Sequence, residues 1–158
     1  MIAYYIPIDK SGLDSLERDD AKLEEYLSLA LGSEDACFDI DKAWAAIHCL
    51  LCGSPDEGEG LLHDAILGGS PLGEEDFGIG PARILDPSQV AEAAKALEAV
   101  DFSAKAGEFR SKIIGRAEVY PGYEDEDDFN YVEYNFGRLK DYFAEKAGEG
   151  SYLILCIA

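Results

Sequence analysis

Hydrophobic residues recur with helical spacing in residues 39–53, the segment that holds the only tryptophan of the chain. Ile40, Trp44, Ile47 and Leu51 follow one another at steps of four, three and four residues, which places them on one face of an α-helix. The segment begins with two aspartates, which suit a helix N-terminus, and it ends at a glycine followed by Ser-Pro. The pattern predicts a central helix packed in the core.

Two further helices are predicted from similarly clear patterns. One begins at Asp86-Pro87, where the aspartate suits the N-cap and the proline suits the first turn. The other follows an acidic run, and its apolar residues alternate at steps of three and four over residues 129–143. Shorter helical patterns cover the stretch up to Gly32, residues 61–67 and residues 102–110.

Strand-like patterns lie mainly at the two ends of the sequence. Residues 2–8 are β-branched and aromatic, and Pro7 indicates either an edge strand or the exit of the strand. Residues 151–157 are almost continuously apolar, which is typical of a central strand. Residues 83–85 could add a short strand, whereas residues 70–81 have the composition of an irregular loop. We therefore expect one α+β domain over residues 1–158, with a small sheet formed largely by the N- and C-terminal strands and packed by several helices.

Composition supports a folded domain and restricts its partners. Hydrophobic residues make up 47% of the 158 positions, which argues against disorder. The formal net charge of −20 disfavours nucleic acid, whose binding relies on Lys and Arg. It also disfavours an anionic membrane surface and favours a basic protein partner. Solubility alone is the more ordinary explanation of such acidity.

No targeting signal is recognisable near the start of the sequence. Residues 1–8 lack the basic start and the long apolar run of a signal peptide. No apolar stretch approaches the ~20 residues that a membrane-spanning helix needs. A cytoplasmic location is therefore expected, with the cysteines reduced. The four cysteines are Cys37, Cys49, Cys52 and Cys156.

The pair Cys49-x-x-Cys52 is the first candidate for chemistry. It falls at the C-terminal end of the predicted helix, where the helix dipole does not lower a thiol pKa as it does at the N-terminus. Only Cys37, His48 and His63 are available to complete a zinc site, and no second pair has ligand spacing. Buried apolar cysteines are therefore favoured, and neither a metal nor a cofactor is predicted.

His48 is the better candidate for a functional side chain. It follows Trp44 by one helical turn, and Asp41 on a similar face could orient the ring or raise its pKa. Such a histidine could act as an acid–base group or bind a ligand. A packed core histidine bonded to a backbone carbonyl is the favoured alternative. His63 has Asp64 beside it but no constellation, and a surface position is expected.

Arg83 stands out because basic residues are scarce in the middle of the sequence. It could bind an anionic ligand near Gly80, although an ion pair that holds a loop to the core is more ordinary.

The acidic run before the last predicted helix has two interpretations. It lacks the internal glycine and the closing glutamate of a calcium loop, so a solvated helix N-terminus is favoured. A docking surface for a basic partner is the alternative. The residues of this run are Glu124, Asp125, Glu126, Asp127 and Asp128.

A family resemblance extends over nearly the whole sequence. The run Asp41-Lys42-x-Trp44-x-x-Ile47-His48-x-x-Leu51-x-Gly53 resembles the central signature of the YfbM-like family of bacterial proteins, classed as a domain of unknown function. The agreement continues in residues 65–69, residues 80–83, the helix after Asp86-Pro87, residues 120–122 and the helix with Asn135-Phe136 and Leu139.

The resemblance implies a cytoplasmic, single-domain α+β protein with no established activity. It also implies that the residues most apt to share a pocket are Trp44, His48, Arg83 and Tyr120. Cys49 and Cys52 are not part of the family pattern, which further weakens the metal and redox interpretations.

Two hypotheses about function follow from these patterns. The leading one is a non-enzymatic acidic binding or inhibitory module, of the immunity type, for a basic protein partner. The alternative is a small-molecule-binding or hydrolytic site around Trp44, His48, Arg83 and Tyr120. No catalytic motif is assembled in the sequence, and both catalysis and the oligomeric state stay open.

Overall fold

One antiparallel sheet organises the computed structural model, which describes residues 1–16, 19–33 and 35–158. Its strands are β1 (Ala3–Ile8), β2 (Phe38–Asp39), β3 (Ser70–Asp76), β4 (Pro81–Leu85) and β5 (Tyr152–Ile157). They lie in the order β2-β1-β5-β4-β3, and each neighbouring pair is antiparallel. The two terminal strands, β1 and β5, pair along their whole length near the middle of the sheet. The predicted α+β class is confirmed.

Helices cover both faces of this sheet. In chain order they are α1 (Lys10–Leu16), α2 (Asp20–Leu31), α3 (Trp44–Cys52), α4 (Leu61–Asp64), α5 (Pro87–Glu98), α6 (Ala106–Lys112) and α7 (Asp128–Glu149). Two single 3₁₀ turns, Asp41–Ala43 and Ser103–Lys105, precede α3 and α6. Within the described ranges, no helix is both long and apolar enough to cross a membrane.

The alternation of side chains in β5 divides the core into two parts. Leu153 and Leu155 pack with residues of α3, α5, α6 and α7 in the larger cluster. Ile154 packs with residues of α1 and α2 on the opposite face. Because helices cover both faces, β5 is apolar almost throughout, which explains the continuous hydrophobic run in its sequence.

The predicted central helix is present and fully packed. Residues Trp44 to Leu50 of α3 are all buried, so the helix is enclosed on every side. Gly53 ends it in the left-handed conformation, with φ of 88°. The predicted acidic cap is wrong, because no side chain caps α3; the Asp39 carboxylate instead accepts the Asp41 N–H at 2.8 Å, before the 3₁₀ turn.

Local capping chemistry explains where other helices begin. Asp86 and Gln89 form a reciprocal capping box at the start of α5, which confirms the prediction for that helix. The Asp19 carboxylate accepts the Lys22 N–H at the start of α2, so the first helical pattern divides into two helices.

The structure differs from the prediction at residues 70–81. This stretch forms β3 and the turn into β4 instead of an irregular loop, and a register shift interrupts the pairing between Leu72 and Asp76. The glycine, proline and acidic residues of this stretch are not typical of a strand, so its composition did not predict one. Its pairing with β4 defines the strand. Pro7 is not on an edge strand, since β1 lies between β2 and β5. It is tolerated because β2 pairs only with Tyr4 and Tyr5, which leaves Pro7 beyond the end of β2.

Candidate functional site

Trp44 is a core residue that contacts the first residue of the sequence. Its side chain is only 3% exposed, and its ring stacks on Tyr120 with a centroid distance of 6.3 Å and an interplanar angle of 25°. The indole Nε1 donates to the Met1 carbonyl at 3.4 Å, and the Tyr120 hydroxyl accepts from the Met1 amino group at 2.8 Å. Trp44 and Tyr120, two of the four residues expected to share a pocket, are in contact with each other, and this contact holds the chain that leads into β1.

His48 is completely buried and is bonded through both ring nitrogens. Its Nδ1 lies 2.7 Å from the Ser54 carbonyl oxygen, and its Nε2 lies 2.9 Å from Nδ1 of His63. Because a carbonyl oxygen only accepts, Nδ1 of His48 must carry hydrogen. In the neutral ring Nε2 is then the acceptor, and His63 donates to it. The favoured prediction of a core histidine on a backbone carbonyl agrees with this geometry.

The environment keeps His48 neutral. Burial lowers the pKa of His48 more than the hydrogen bond to Ser54 raises it, and His63 lowers it further. Asp41 does not orient the ring, since its carboxylate accepts from the Tyr131 hydroxyl at 3.1 Å. A neutral, sealed imidazole can stabilise the loop that covers it, but it does not reach a ligand in solvent.

The prediction of a surface position for His63 is wrong. This half-buried ring meets His48 edge to face, with centroids 5.1 Å apart. The loop between α3 and α4 folds over both rings, and a Cβ at Gly58 would lie 3.0 Å from His63 Nδ1 and 3.3 Å from His48 Cε1. No sequence motif marks this pair, because its two members meet only after the glycine-rich loop folds back. Among the described residues, no group of His, Cys, Asp or Glu side chains is placed to hold a metal ion.

Arg83 belongs to the β3–β4 hairpin. Both terminal nitrogens of its guanidinium lie 3.4 Å from the Ile79 carbonyl oxygen, so the side chain ties down the turn before β4. No described carboxylate forms an ion pair with it, so the predicted ion pair is absent from this part of the structure.

The four residues expected to share a pocket do not converge. Trp44 contacts Tyr120, whereas His48 contacts the loop after α3 and Arg83 contacts its own hairpin. None of these four residues lines the cavity of about 340 Å³ between α2 and β3.

Much of the acidic run before α7 forms hydrogen bonds within its own turn. The Asp128 carboxylate accepts the N–H groups of Glu124 and Asp125, and Asp125 accepts that of Asp127. Glu126 pairs with Arg110. These contacts agree with the favoured interpretation, a solvated helix N-terminus, and leave few free carboxylates for a partner.

A second group of acids lines a cavity of about 340 Å³ between α2 and β3. We call it the acidic edge pocket; its lining residues are Leu23, Glu24, Leu72, Gly73, Glu74, Glu75 and Phe77. The leucines are buried, whereas the three glutamates are exposed. The pocket therefore combines an apolar base with a rim of carboxylates at the edge of the sheet.

The rim of this pocket carries charge that the described basic residues do not neutralise. No described Lys or Arg forms an ion pair with Glu24, Glu74 or Glu75. Desolvation and the neighbouring Glu24 carboxyl, which also hydrogen-bonds to it, raise the pKa of Glu75. A cation bound at the rim would relieve the repulsion between these two carboxyl groups. Sequence reasoning missed this pocket because β3 was not recognised as a strand.

Comparisons with known proteins agree with this fold. YfbM from Escherichia coli, a protein of unknown function whose crystal structure is known, is similar with a TM-score of 0.74 over 98% of each chain. The sequences are 22% identical, so this likeness shows the fold alone. No curated protein matches the sequence. The family model described as a domain of unknown function, DUF1877, matches residues 1–156. The chain therefore belongs to the DUF1877 family, which confirms the resemblance to YfbM-like proteins.

Proposed function

We propose that this protein is a non-enzymatic binding module whose acidic edge pocket receives a basic segment of a protein partner. The observation that supports this proposal is the rim of Glu24, Glu74 and Glu75 around an apolar base, since no described Lys or Arg forms an ion pair with these glutamates. An acidic surface alone would be explained by solubility. Carboxylates gathered around apolar side chains are more specific, because they match both parts of a Lys or Arg side chain.

The chemistry of the fit is simple. The aliphatic stem of a Lys or Arg would lie on Leu23 and Leu72, and its charged head would meet the carboxylates. Charge-assisted hydrogen bonds of this kind are the stronger ones, and an Arg could bind two carboxylate oxygens at once. A bound cation would also relieve the repulsion between Glu24 and Glu75.

The charge of the whole chain supports the same kind of partner. With a net charge of −20, the protein attracts a basic surface over a distance comparable to the Debye length, which raises the association rate at low salt. In the inhibitory, immunity-type form of this proposal, the basic surface that this protein covers is the functional site of its partner.

The alternative of a small-molecule or hydrolytic site around Trp44, His48, Arg83 and Tyr120 has weaker support. Such a site needs side chains that converge on a cavity, and these four contact separate parts of the fold. His48, the one candidate acid–base group among them, is sealed from solvent.

The test compares two double variants that remove the same charge. Glu74→Gln with Glu75→Gln neutralises the acidic edge pocket, whereas Glu57→Gln with Glu59→Gln neutralises two exposed glutamates of the loop after α3. Each purified protein is used to capture partners from a lysate of the source organism, and the captured partner is then titrated by calorimetry at low and high salt.

We expect to capture a basic partner whose affinity falls as the salt concentration rises. Its affinity should be at least about tenfold lower for the pocket variant and unchanged for the control variant. An equal loss of affinity in both variants would show that binding depends on overall negative charge and not on the acidic edge pocket. Absence of a salt-sensitive partner would contradict the proposal.

A further inference from the structure

A second cavity, of about 660 Å³, opens at the β2 edge of the sheet, which lies opposite the edge formed by β3. We call it the β2 groove, and the lining residues that matter here are Leu31, Phe38, Asp39 and Arg138. Arg138 of α7 is the one basic side chain among the described residues that line it. The groove shares no residue with the acidic edge pocket, so its chemistry is independent of the proposed function.

The Arg138 guanidinium is held in place by uncharged groups. One of its terminal nitrogens donates to the Asn135 side-chain oxygen at 3.0 Å. Asn135 is only 3% exposed and is itself fixed, because its amide nitrogen donates to the Tyr131 carbonyl at 3.0 Å. The guanidinium also lies 4.9 Å from the centre of the Phe38 ring and 5.8 Å from that of the Tyr134 ring. Its position is therefore set without an opposite charge.

The ring on which the guanidinium rests is also fixed. Phe38 stacks on Tyr142, with ring centroids 4.2 Å apart and an interplanar angle of 10°. The Tyr142 hydroxyl donates to the Tyr5 carbonyl at 3.4 Å, which ties the stack to β1. The arginine therefore lies on a rigid aromatic platform at the α7 face of the sheet.

No described carboxylate forms an ion pair with Arg138, although the chain carries 33 acidic residues and only 13 Lys and Arg. The register explains why Asp39 does not neutralise it. Asp39 lies opposite Tyr4, whereas Phe38 lies opposite Tyr5 and packs with the larger core cluster. Because successive side chains of a strand point to opposite faces, Asp39 points to the α2 face and away from the Phe38 ring.

The unneutralised guanidinium favours one kind of ligand. A guanidinium has five N–H donors, and the bond to Asn135 is the only hydrogen bond that Arg138 donates within the described chain. Its planar fork matches the two oxygens of a carboxylate. The half-buried side chains of Leu31 and Phe38 add apolar surface beside it. The net charge of −20 opposes every further negative charge on a ligand, so a monoanion is favoured over a phosphate dianion.

We propose that Arg138 in the β2 groove binds the carboxylate of a small monoanionic ligand, whose apolar part contacts Phe38 and Leu31. Such a carboxylate belongs either to a free organic acid or to the end of a peptide chain. Both sources present the same planar group to the guanidinium, and the experiment distinguishes them.

The first experiment follows the Arg138 side-chain N–H resonance by NMR in the isotope-labelled full chain, and Arg138→Lys identifies that resonance. The probes are benzoate, its neutral isostere benzamide, inorganic phosphate, and a short uncharged peptide with a free C-terminal carboxylate. We expect benzoate or the peptide to shift the resonance with a dissociation constant of about 10 mM or below. The tighter of the two identifies the source of the carboxylate. Benzamide and phosphate should bind at least about tenfold more weakly.

Variants then locate the site, with affinity measured by calorimetry and folding checked by circular dichroism. Arg138→Gln should weaken the better probe at least about tenfold. Arg138→Lys should retain part of the affinity, because an ammonium group keeps the charge but not the planar fork. Arg116→Gln removes the same charge from an exposed ion pair with Glu118 and should change nothing. Asp39→Asn keeps an oxygen for the Asp41 N–H and should bind the probe at least as tightly as the wild type.

Several outcomes would overturn the proposal. One is an Arg138 resonance that neither carboxylate shifts at about 50 mM, a concentration well above the expected dissociation constant. Others are equal affinity for benzamide, tighter binding of phosphate, or the same loss of affinity in Arg116→Gln as in Arg138→Gln. Weaker binding by folded Asp39→Asn would also contradict it, because the ligand would then depend on a negative charge.

Discussion

Nε2 of His48 and Nδ1 of His63 lie 2.9 Å apart, and this contact connects the middle of the central helix α3 to α4. His48 has no solvent exposure and also donates to the Ser54 carbonyl. The two rings therefore depend on a fixed arrangement of hydrogens, with His48 neutral. Protonation of His48 should therefore destabilise the fold, and so should a side-chain atom added next to the two rings.

The stability of the protein should fall with acid because of His48. Its pKa in the folded state is lowered from 6.5 by burial, so the unfolded state binds more protons below that value. The stabilisation is fully present above the unfolded pKa of 6.5 and is lost as the pH falls below it. One proton contributes at most about 1.4 kcal/mol per pH unit.

Urea unfolding of the wild type and of His48→Asn between about pH 8 and pH 5 measures this contribution. An asparagine amide can still donate to Ser54 but does not titrate, so the variant should lose less stability on acidification. Parallel pH dependence in the two proteins would show that His48 is not the group responsible. The comparison with the variant also removes the general effect of protonating surface carboxylates.

Gly58→Ala should destabilise the protein by about 1–3 kcal/mol, because the packed neighbours of the new methyl group would have to move. Its Cβ would lie 3.0 Å from His63 Nδ1 and 3.1 Å from the Cys52 Cβ. Gly137→Ala is the matched control, since no atom outside its own helix lies within 4 Å of the added Cβ. Inside α7 this change should stabilise by about 0.5–1 kcal/mol. Thermal unfolding of the two variants tests both predictions. Equal changes in stability would contradict the tight packing of the loop around Gly58.

The Cys156 thiol should react very slowly with alkylating agents in the native protein. Burial raises its pKa to about 11, and the side chain is 2% exposed in the central strand. At about pH 7.5 the thiolate is scarce, so labelling should be at least about a hundredfold slower than in urea. Mass spectrometry after timed alkylation gives the rate at each cysteine. Rapid native labelling of Cys156 would contradict its burial.

Local sequence patterns were sufficient for the elements whose boundaries depend on nearby residues. The capping box of α5 and the amphipathic repeat of α7 are both contained within a few turns of chain. β5 is buried on both faces, so its composition identifies it without knowledge of its neighbours. These elements determine the fold class.

Elements and sites that depend on distant pairing were not visible in the sequence. β3 contains glycine, proline and acidic residues, and only its pairing with β4 makes it a strand. The contact between His48 and His63 needs the intervening loop to fold back over both rings. Helical spacing placed Trp44 and His48 on one helix, but it did not show that each contacts a different part of the chain.

The pairing of β1 with β5 has a consequence for how the molecule is made. β1 emerges from the ribosome early, yet β2 reaches only two of its residues, and its full-length neighbour is synthesised some hundred and forty residues later. The centre of the sheet therefore cannot assemble until residues 152–157 have left the ribosome, however soon the helices form. Until then β1 lacks its full-length partner, and its apolar side chains need protection from aggregation.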